Sequence, residues 1–108
     1  MIKTSGYRVS PAEIEEVVSA SGLVEEAACF GVPHPELGQA VVLVACGDSA
    51  AAPALLAECK RRLPAYMVPL HLDLRAAQLP RNPNGKIDRK ALQSGFLTLF
   101  VPSTETSS

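Results

Sequence analysis

Apolar residues recur at helical spacing near the start of the chain. Ile14, Val17 and Val18 lie three and four positions apart, and acidic residues occupy positions between them. Ser10 precedes this stripe and is followed by a proline and then, three positions on, by a glutamate, which is the sequence of a capping box. The pattern therefore predicts a helix that starts after Ser10, with the serine side chain as its cap, and that ends at Gly22.

Four segments have the alternation or the apolar content of β-strands. Residues 1–9 are extended but interrupted by a Ser-Gly pair, which predicts a two-stranded ribbon. Residues 24–32 favour a strand, the valine-rich run 39–46 favours a well-buried strand, and residues 70–75 alternate apolar and polar side chains. Residues 33–38 contain two prolines and a glycine, which predict a loop.

Two further helices complete the predicted fold. One opens at Pro53, and its apolar side is formed by Leu55, Leu56, Cys59 and Leu63; a short last helix is capped by Asp88. Helices packed on a small sheet give an α+β fold, with an antiparallel or mixed sheet of about three strands flanked by helices and the N-terminal ribbon attached. The predicted domain spans residues 1–95, and residues 96–108 are predicted to be a polar, disordered tail.

The composition indicates one small domain. A chain of 108 residues, 47% of them hydrophobic, can form a single core. No apolar run approaches the roughly 20 residues that cross a bilayer. The three cysteines, at 29, 46 and 59, are too far apart in sequence for a metal knuckle or a dithiol redox site. They favour buried free thiols in a reducing, cytoplasmic location, and no metal site is expected.

A net charge of −1 conceals an uneven distribution of charge. Residues 1–59 carry two basic and eight acidic side chains (net −6), whereas residues 60–90 carry eight basic and two acidic ones (net +6). This asymmetry predicts an anionic partner for the second half, with a solvated basic face as the alternative. Nucleic acid is one such partner, but aromatic residues are only 5% of the chain and do not interleave with the bases, so a phosphorylated small molecule fits at least as well.

Two short loops carry the candidate chemistry. Asn84 and Gly85 form a strong turn signal between prolines and Asp88, and Lys86 follows at once, so its ammonium group is expected at the tip of a stiff turn. Such an arrangement can deliver a cation to a developing negative charge. In the other loop, residues 3–8, a glycine between two basic residues would let a ligand approach the backbone closely. Taken singly, the first is typical of an ordinary hairpin turn and the second of a simple bulge.

Taken together, the two loops resemble a known pair of motifs. Residues 2–15 read IKTSGYRVSPAEIE and are similar to the motif that opens the C-terminal domain of the adenylate-forming superfamily, which includes acyl-CoA synthetases, nonribosomal peptide synthetase adenylation domains and luciferases. Residues 79–89 read LPRNPNGKIDR and resemble the terminal lysine motif of that superfamily, while residues 31–38 and 63–69 resemble its connecting segments. The resemblance covers residues 1 to about 95, with the motifs in the right order.

The resemblance implies a mobile lid that works with a larger N-terminal domain. It implies that Lys86 contacts the acid and ATP during adenylation, on a loop supported by Asn84 and Gly85. It implies that the lid then rotates, that the first loop lines the pantetheine tunnel, and that Lys3 corresponds to a second-step lysine which only some members have. The residues implied to contact substrate or CoA are Ser5, Gly6, Tyr7 and Arg8.

An AMP-forming acyl-CoA synthetase is the interpretation that we favour. It implies ATP and CoA as substrates, Mg²⁺ in the intact enzyme, no cofactor bound by this domain alone and an inactive isolated chain. The alternatives are an adenylation domain that loads a carrier protein, and a non-catalytic binding module that keeps the lid fold. The hinge residue of the family precedes the opening motif and would lie before Met1, so this chain is expected to be part of a longer protein.

Overall fold

The computed structural model describes residues 1–101, which form one sheet and three α-helices; residues 102–108, the end of the predicted tail, lie outside the described residues. The strands are β1 (Ile2–Thr4), β2 (Tyr7–Val9), β3 (Val24–His34), β4 (Gly38–Gly47) and β5 (His71–Arg75). The helices are α1 (Pro11–Ala20), α2 (Ala52–Arg62) and α3 (Arg89–Ser94), with short 3₁₀ helices at Ser49–Ala51 and Ala65–Met67.

The sheet is mixed, and its centre is β4. Strands β1 and β2 form an antiparallel ribbon that joins β4 where Thr4 meets Gly38. Strands β3 and β4 form a long antiparallel hairpin, and β5 runs parallel to β4. The order is β2-β1-β4-β3, with β5 also paired to β4. The predicted α+β class, with a ribbon and about three further strands, is therefore confirmed.

The β3–β4 hairpin is longer than the sequence indicated. The prediction of a loop over residues 33–38 is wrong at its edges, because β3 continues through Pro33, which pairs with Gln39, and only residues 35–37 form the turn. Strand β3 lies at the edge of the sheet, where a residue without an N–H group is tolerated. His34 closes the turn, because its Nδ1 accepts two N–H groups of the turn, each at 3.1 Å.

Both faces of the hairpin are buried, by alternate side chains. One face packs with α1 and α2 in a first cluster formed by Ile2, Val9, Ile14, Val18, Cys29, Val41, Leu43, Leu55, Cys59 and Met67. The other face packs with the C-terminal part of the chain in a second cluster formed by Ala28, Phe30, Val32, Ala40, Val42, Val44, Cys46, Leu79 and Leu92. Burial on both faces explains why residues 39–46 form an almost unbroken apolar run.

The three cysteines are buried free thiols, as the sequence predicted. Cys29 and Cys59 belong to the first cluster and Cys46 to the second. Burial raises the pKa of the Cys29 thiol, and the nearby Glu15 carboxylate raises it further. A thiol that keeps its proton is a poor nucleophile, so these residues act as small core side chains.

The ends of the helices match the predictions unevenly. Helix α1 begins at Pro11, but the Ser10 side chain makes no capping hydrogen bond, so the predicted capping box is wrong. In a capping box the Ser10 side chain would accept the Glu13 N–H. Here the Glu13 N–H instead donates to the Ser10 backbone carbonyl at 3.2 Å. At the start of α3 the predicted cap is present, since Asp88 Oδ1 accepts the Ala91 N–H at 3.0 Å.

These caps predict different outcomes for two matched substitutions. Asp88→Ala should lower the free energy of unfolding by about 1 kcal/mol, because the first turn of α3 loses a hydrogen-bond acceptor. Ser10→Ala should change it by less than about 0.5 kcal/mol, because no side-chain hydrogen bond is lost. Chemical denaturation of both variants beside the parent domain measures the difference, and an equal loss in the two variants would contradict it.

The segment that follows α3 packs against the second cluster. The ring of Phe96 has its centroid 5.8 Å from that of Phe30 and 5.6 Å from that of His71. Phe100 lies against His34, with ring centroids 5.2 Å apart. Packing therefore continues beyond residue 95 to Phe100, because these two aromatic side chains cover the sheet face that α3 leaves open.

Candidate functional site

The first loop is a two-residue turn that joins β1 to β2. Ser5 has a φ of +52° and Gly6 a φ of +82°, a left-handed pair that suits the twist of a tight ribbon. The Ser5 N–H donates to the Leu37 carbonyl at 3.0 Å, which attaches this turn to the β3–β4 turn. No described atom beyond the chain neighbours lies within 4 Å of the position that a Cβ on Gly6 would take. The turn therefore presents bare backbone at the surface.

Two basic side chains flank this turn. Lys3 and Arg8 lie directly opposite each other in the ribbon, one position along from the buried pair Ile2 and Val9, and both are exposed. Like charges in such a pair destabilise a ribbon. Within residues 1–101, neither has a carboxylate within salt-bridge distance. A bound anion would relieve the repulsion between them.

An aromatic pair and a cleft adjoin the turn. Tyr7 stacks on Tyr66, with ring centroids 4.0 Å apart and an angle of 10° between the planes, although the two residues remain 51% and 37% exposed. The rings border a cleft of about 440 Å³ whose lining includes Ser5, Val68 and Leu70. Apolar walls beside a few polar groups are typical of small-ligand sites.

The second loop, residues 79–88, folds back on itself. Arg81 and Ile87 form an antiparallel bridge, and Asp88 donates its N–H to the Pro80 carbonyl at 2.8 Å. These contacts bring the two ends of the loop together. The residues between them therefore form a narrow projection.

The tip of this projection is organised by Asn82. Its Oδ1 accepts the N–H groups of Asn84 and Lys86, at 3.0 and 3.1 Å. Gly85 has the positive φ, +81°, that the sequence indicated. Asn84 does not share it, and within residues 1–101 the Asn84 side chain makes no hydrogen bond. Asn84 thus contributes to the turn through its backbone.

Lys86 follows the tip, and its side chain is exposed. Its carbonyl accepts the Asn82 N–H at 2.8 Å, in addition to the bond from its own N–H to Asn82. In the described part of the chain no carboxylate lies within salt-bridge distance of its ammonium group. The residue therefore combines a fixed backbone with a cation that a partner outside the domain can reach.

Ion pairs account for much of the basic charge of residues 60–90. The pairs are Arg61 and Arg62 with Glu58, Arg75 with Asp73, Arg81 with Glu26, and Arg89 with Glu15. Four of these five arginines, all but Arg75, pair with carboxylates of residues 1–59 and so join the basic half of the chain to the acidic half. The charge asymmetry therefore serves the fold in part. Within residues 1–101, the basic side chains of that half without such a partner are Lys60, Lys86 and Lys90.

The two loops lie far apart on the domain. The first contacts the β3–β4 turn, at one end of the hairpin, whereas the second is attached to Glu26, near the other end. Glu26 and His34 are eight positions apart in β3, or about 26 Å at roughly 3.3 Å per residue. The two loops are therefore attached at well-separated points along the hairpin.

Sequence reasoning missed three residues that shape these loops, namely Asn82, Glu26 and Tyr66. Asn82 precedes a proline, and an asparagine in such a segment is a turn signal that could have identified it. Glu26 is 55 positions from Arg81, and Tyr66 is 59 from Tyr7, so no local pattern connects them.

The described residues offer no site for a metal ion. Among residues 1–101 there is no group of three or more His, Cys, Asp or Glu side chains that could hold one. The two loops present cations, hydroxyl groups, rings and amides, and their one carboxylate, that of Asp88, caps α3. Mg²⁺, by contrast, prefers carboxylate and phosphate oxygens. Mg²⁺ therefore does not fit a site built by this domain. In the same part of the chain, no helix is long and apolar enough to cross a bilayer.

Comparison with known proteins identifies a family that matches most of the chain. The family described as AMP-binding enzyme C-terminal domain matches residues 13–86. A long-chain-fatty-acid–CoA ligase of Yersinia pestis is 43% identical over 95 residues, which are 86% of this chain and 17% of the ligase. Tyrocidine synthase 1 of Brevibacillus parabrevis is 34% identical over an alignment of 115 positions, which covers 99% of this chain and 10% of the synthase.

Solved structures give the same result. The fatty acyl CoA synthetase of Mycobacterium tuberculosis matches with a TM-score of 0.82 and 31% identity, over 92% of this chain and 20% of that protein. The chain thus spans a fifth or less of the length of these relatives. The family match ends at Lys86, so it includes most of the second loop and begins after the first.

Proposed function

The chain belongs to the family of AMP-binding enzyme C-terminal domains, and from this we propose that it is the mobile C-terminal domain of an AMP-forming acyl-CoA synthetase. The observation that carries the proposal is the pair of exposed loops near opposite ends of the β3–β4 hairpin. One presents Lys86, and the other presents bare backbone between Lys3 and Arg8. In the holoenzyme, meaning this domain joined to its N-terminal adenylate-forming domain, each loop serves one half-reaction.

The first half-reaction is adenylation, and we assign it to Lys86. A carboxylate oxygen of the acid attacks the α-phosphorus of ATP, the bond from that phosphorus to the bridging oxygen breaks, and pyrophosphate leaves. Catalysis of such a transfer is largely positioning and stabilisation of negative charge. Lys86 suits this step because its side chain is exposed while its backbone is held by Asn82. In this proposal Asn84 and Gly85 support the lysine by shaping the turn.

The second half-reaction is thiolysis, and we assign it to the first loop. The thiolate of CoA attacks the acyl carbonyl carbon, the bond to the AMP oxygen breaks, and the thioester and AMP are released. Pantetheine is a narrow chain, so a channel wall built from bare backbone suits its passage. In this proposal Ser5 and Gly6 form that wall, Tyr7 adds a contact beside it, and Lys3 and Arg8 contact phosphate groups.

The separation of the two loops supports a rotation of the domain between the two steps. Adenylation needs a cation beside the phosphate, whereas thiolysis needs that cation withdrawn and a path open for the thiol. Since the loops are attached about 26 Å apart along β3, at roughly 3.3 Å per residue, one fixed orientation cannot serve both steps. Rotation of a rigid domain about a hinge resolves this conflict.

Assay of the holoenzyme with ATP, Mg²⁺, CoA and a panel of carboxylic acids tests the proposal. We expect AMP, pyrophosphate and acyl-CoA in equal amounts with at least one acid, and long-chain fatty acids belong in the panel because a relative is named as their ligase. The isolated 108-residue chain should release no pyrophosphate, because its two loops supply only part of a site. Absence of acyl-CoA with every acid would contradict the proposed acceptor.

A carrier protein is the second candidate acceptor. It belongs to the alternative in which the chain is part of a peptide synthetase adenylation domain that loads a carrier protein. The match to tyrocidine synthase 1, which extends over 99% of this chain, supports that alternative. The thiolysis chemistry is the same if the pantetheine arm is carried on a protein instead of on CoA. Addition of a pantetheinylated carrier protein to the same assay distinguishes the two, since only the true acceptor becomes acylated after adenylate formation.

A further inference from the structure

Glu26 is joined to the loop of Lys86 through Arg81, and we propose that this pair positions Lys86 for adenylation. The inference rests on the proposed role of Lys86 and goes beyond it. Glu26 and Arg81 touch neither the acid nor the nucleotide in this proposal. They act by fixing the peptide group between Gly85 and Lys86, which directly precedes the Cα of the lysine.

The Glu26 side chain is the point at which the second loop is attached to β3. It is 13% exposed, and its two oxygens have different partners. Oε2 accepts the Leu79 N–H at 2.7 Å, at the entry to the loop, and Oε1 is paired with the Arg81 guanidinium. One partly buried carboxylate thus holds the loop at two points, Leu79 and Arg81.

Arg81 extends this attachment to Lys86. While Nη2 pairs with Glu26, Nη1 donates to the Gly85 carbonyl at 3.2 Å. The Gly85 carbonyl and the Lys86 N–H belong to one peptide group, and that N–H is bound by Asn82 Oδ1 at 3.1 Å. The peptide plane that precedes Lys86 is therefore held on both sides.

The geometry suits an arginine at position 81. Its planar fork presents separate nitrogens to Glu26 and to the Gly85 carbonyl, whereas the single nitrogen of a lysine cannot occupy both positions. Partly exposed ion pairs contribute little to stability. The main effect of this pair is therefore on position, and small errors in position are costly in catalysis.

A double-mutant cycle in the holoenzyme tests the proposal. The four proteins are the parent, Glu26→Gln, Lys86→Ala and the double variant, and the measured quantity is the rate of acyl-adenylate formation at saturating ATP and acid. Glu26→Gln should slow adenylation by about 10-fold, below the roughly 100-fold that a 1 Å misplacement can cost. In the Lys86→Ala background the same change should have almost no further effect, because the lysine it positions is gone.

Two further variants separate positioning from general damage. Glu58→Gln is the matched control, because Glu58 also pairs with arginines, on α2, and it should leave adenylation unchanged. Arg81→Lys keeps the charge at an exposed site and should slow adenylation as Glu26→Gln does. Thiolysis of a supplied acyl-adenylate should keep the parent rate in all of these variants.

The outcomes distinguish this inference from the proposed function. Parent-like adenylation in both Glu26→Gln and Arg81→Lys would overturn the positioning role of the pair, but it would not affect the proposed role of Lys86. Loss by the same factor in the parent and Lys86→Ala backgrounds would also overturn it, since the effect would not pass through the lysine. If Lys86→Ala itself adenylates normally, the proposed function fails.

Discussion

In the holoenzyme, Lys86→Ala is expected to slow acyl-adenylate formation by about 100- to 1000-fold, the usual cost of removing one positioned electrostatic contact. The reason is the proposed role of Lys86, in which its cation is directed at the carboxylate and at the nucleotide during pyrophosphate departure. Thiolysis of a supplied acyl-adenylate should stay close to the parent rate, because in the proposed rotation Lys86 has by then moved away from the site. Rapid-quench measurement of the two half-reactions separately gives both rates.

The stability of the domain should not account for that loss. Lys86 is exposed and makes no ion pair within residues 1–101, so Lys86→Ala should change the free energy of unfolding by less than about 0.5 kcal/mol. Lys90→Ala is the matched control, since Lys90 is likewise exposed and unpaired in that part of the chain. If both lysine variants slowed adenylation equally, a general effect of basic charge would replace the specific role of Lys86.

Gly6→Leu is expected to give the opposite pattern, with thioester formation slowed on the order of 100-fold and adenylation nearly unchanged. The space around Gly6 is open in this domain, since a Cβ at this position would have no described atom beyond its chain neighbours within 4 Å. In the thiolysis arrangement the same side chain would enter the path of the pantetheine arm. Single-turnover transfer from pre-formed acyl-adenylate to CoA measures the effect.

The backbone strain of that substitution needs its own control. Gly6 has a φ of +82°, and a leucine in the left-handed region costs roughly 1–2 kcal/mol. Gly22 has a φ of +74° and equally open surroundings, but it lies at the end of α1, away from the first loop. Gly22→Leu therefore reproduces the strain without blocking the channel. Equal slowing of thiolysis in the two variants would assign the effect to strain.

Local patterns predicted the elements of this fold better than their limits. The apolar run of β4 predicted a well-buried strand, which the structure buries on both faces, and alternation predicted β5. The length of the β3–β4 hairpin could not be read from the sequence, because Pro33 is compatible with a strand only at a sheet edge, and strand order is not a local property. The predicted cap at Ser10 is wrong for a local reason, because the Glu13 N–H donates to the Ser10 backbone carbonyl and not to its side chain.

The residues of the candidate site were likewise predicted only in part. Lys86 and Gly6 could be named as candidates because each lies in a short motif that resembles a family motif, and the motifs occur in the family's order. The attachment of the lysine loop to Glu26, and the stack of Tyr7 on Tyr66, join residues more than 50 positions apart and depend on the packed fold. Charge counting indicated the basic half, but several of its arginines are paired within the fold, and only the structure separates them from the lysines.

We propose that one domain serves two half-reactions with two loops. Separate measurement of adenylation and thiolysis in Lys86→Ala and Gly6→Leu holoenzymes, beside the parent, decides this. We expect a double dissociation, in which the lysine variant loses adenylation alone and the glycine variant loses thiolysis alone. Loss of the same half-reaction in both variants, or equal loss of both half-reactions in each, would contradict it.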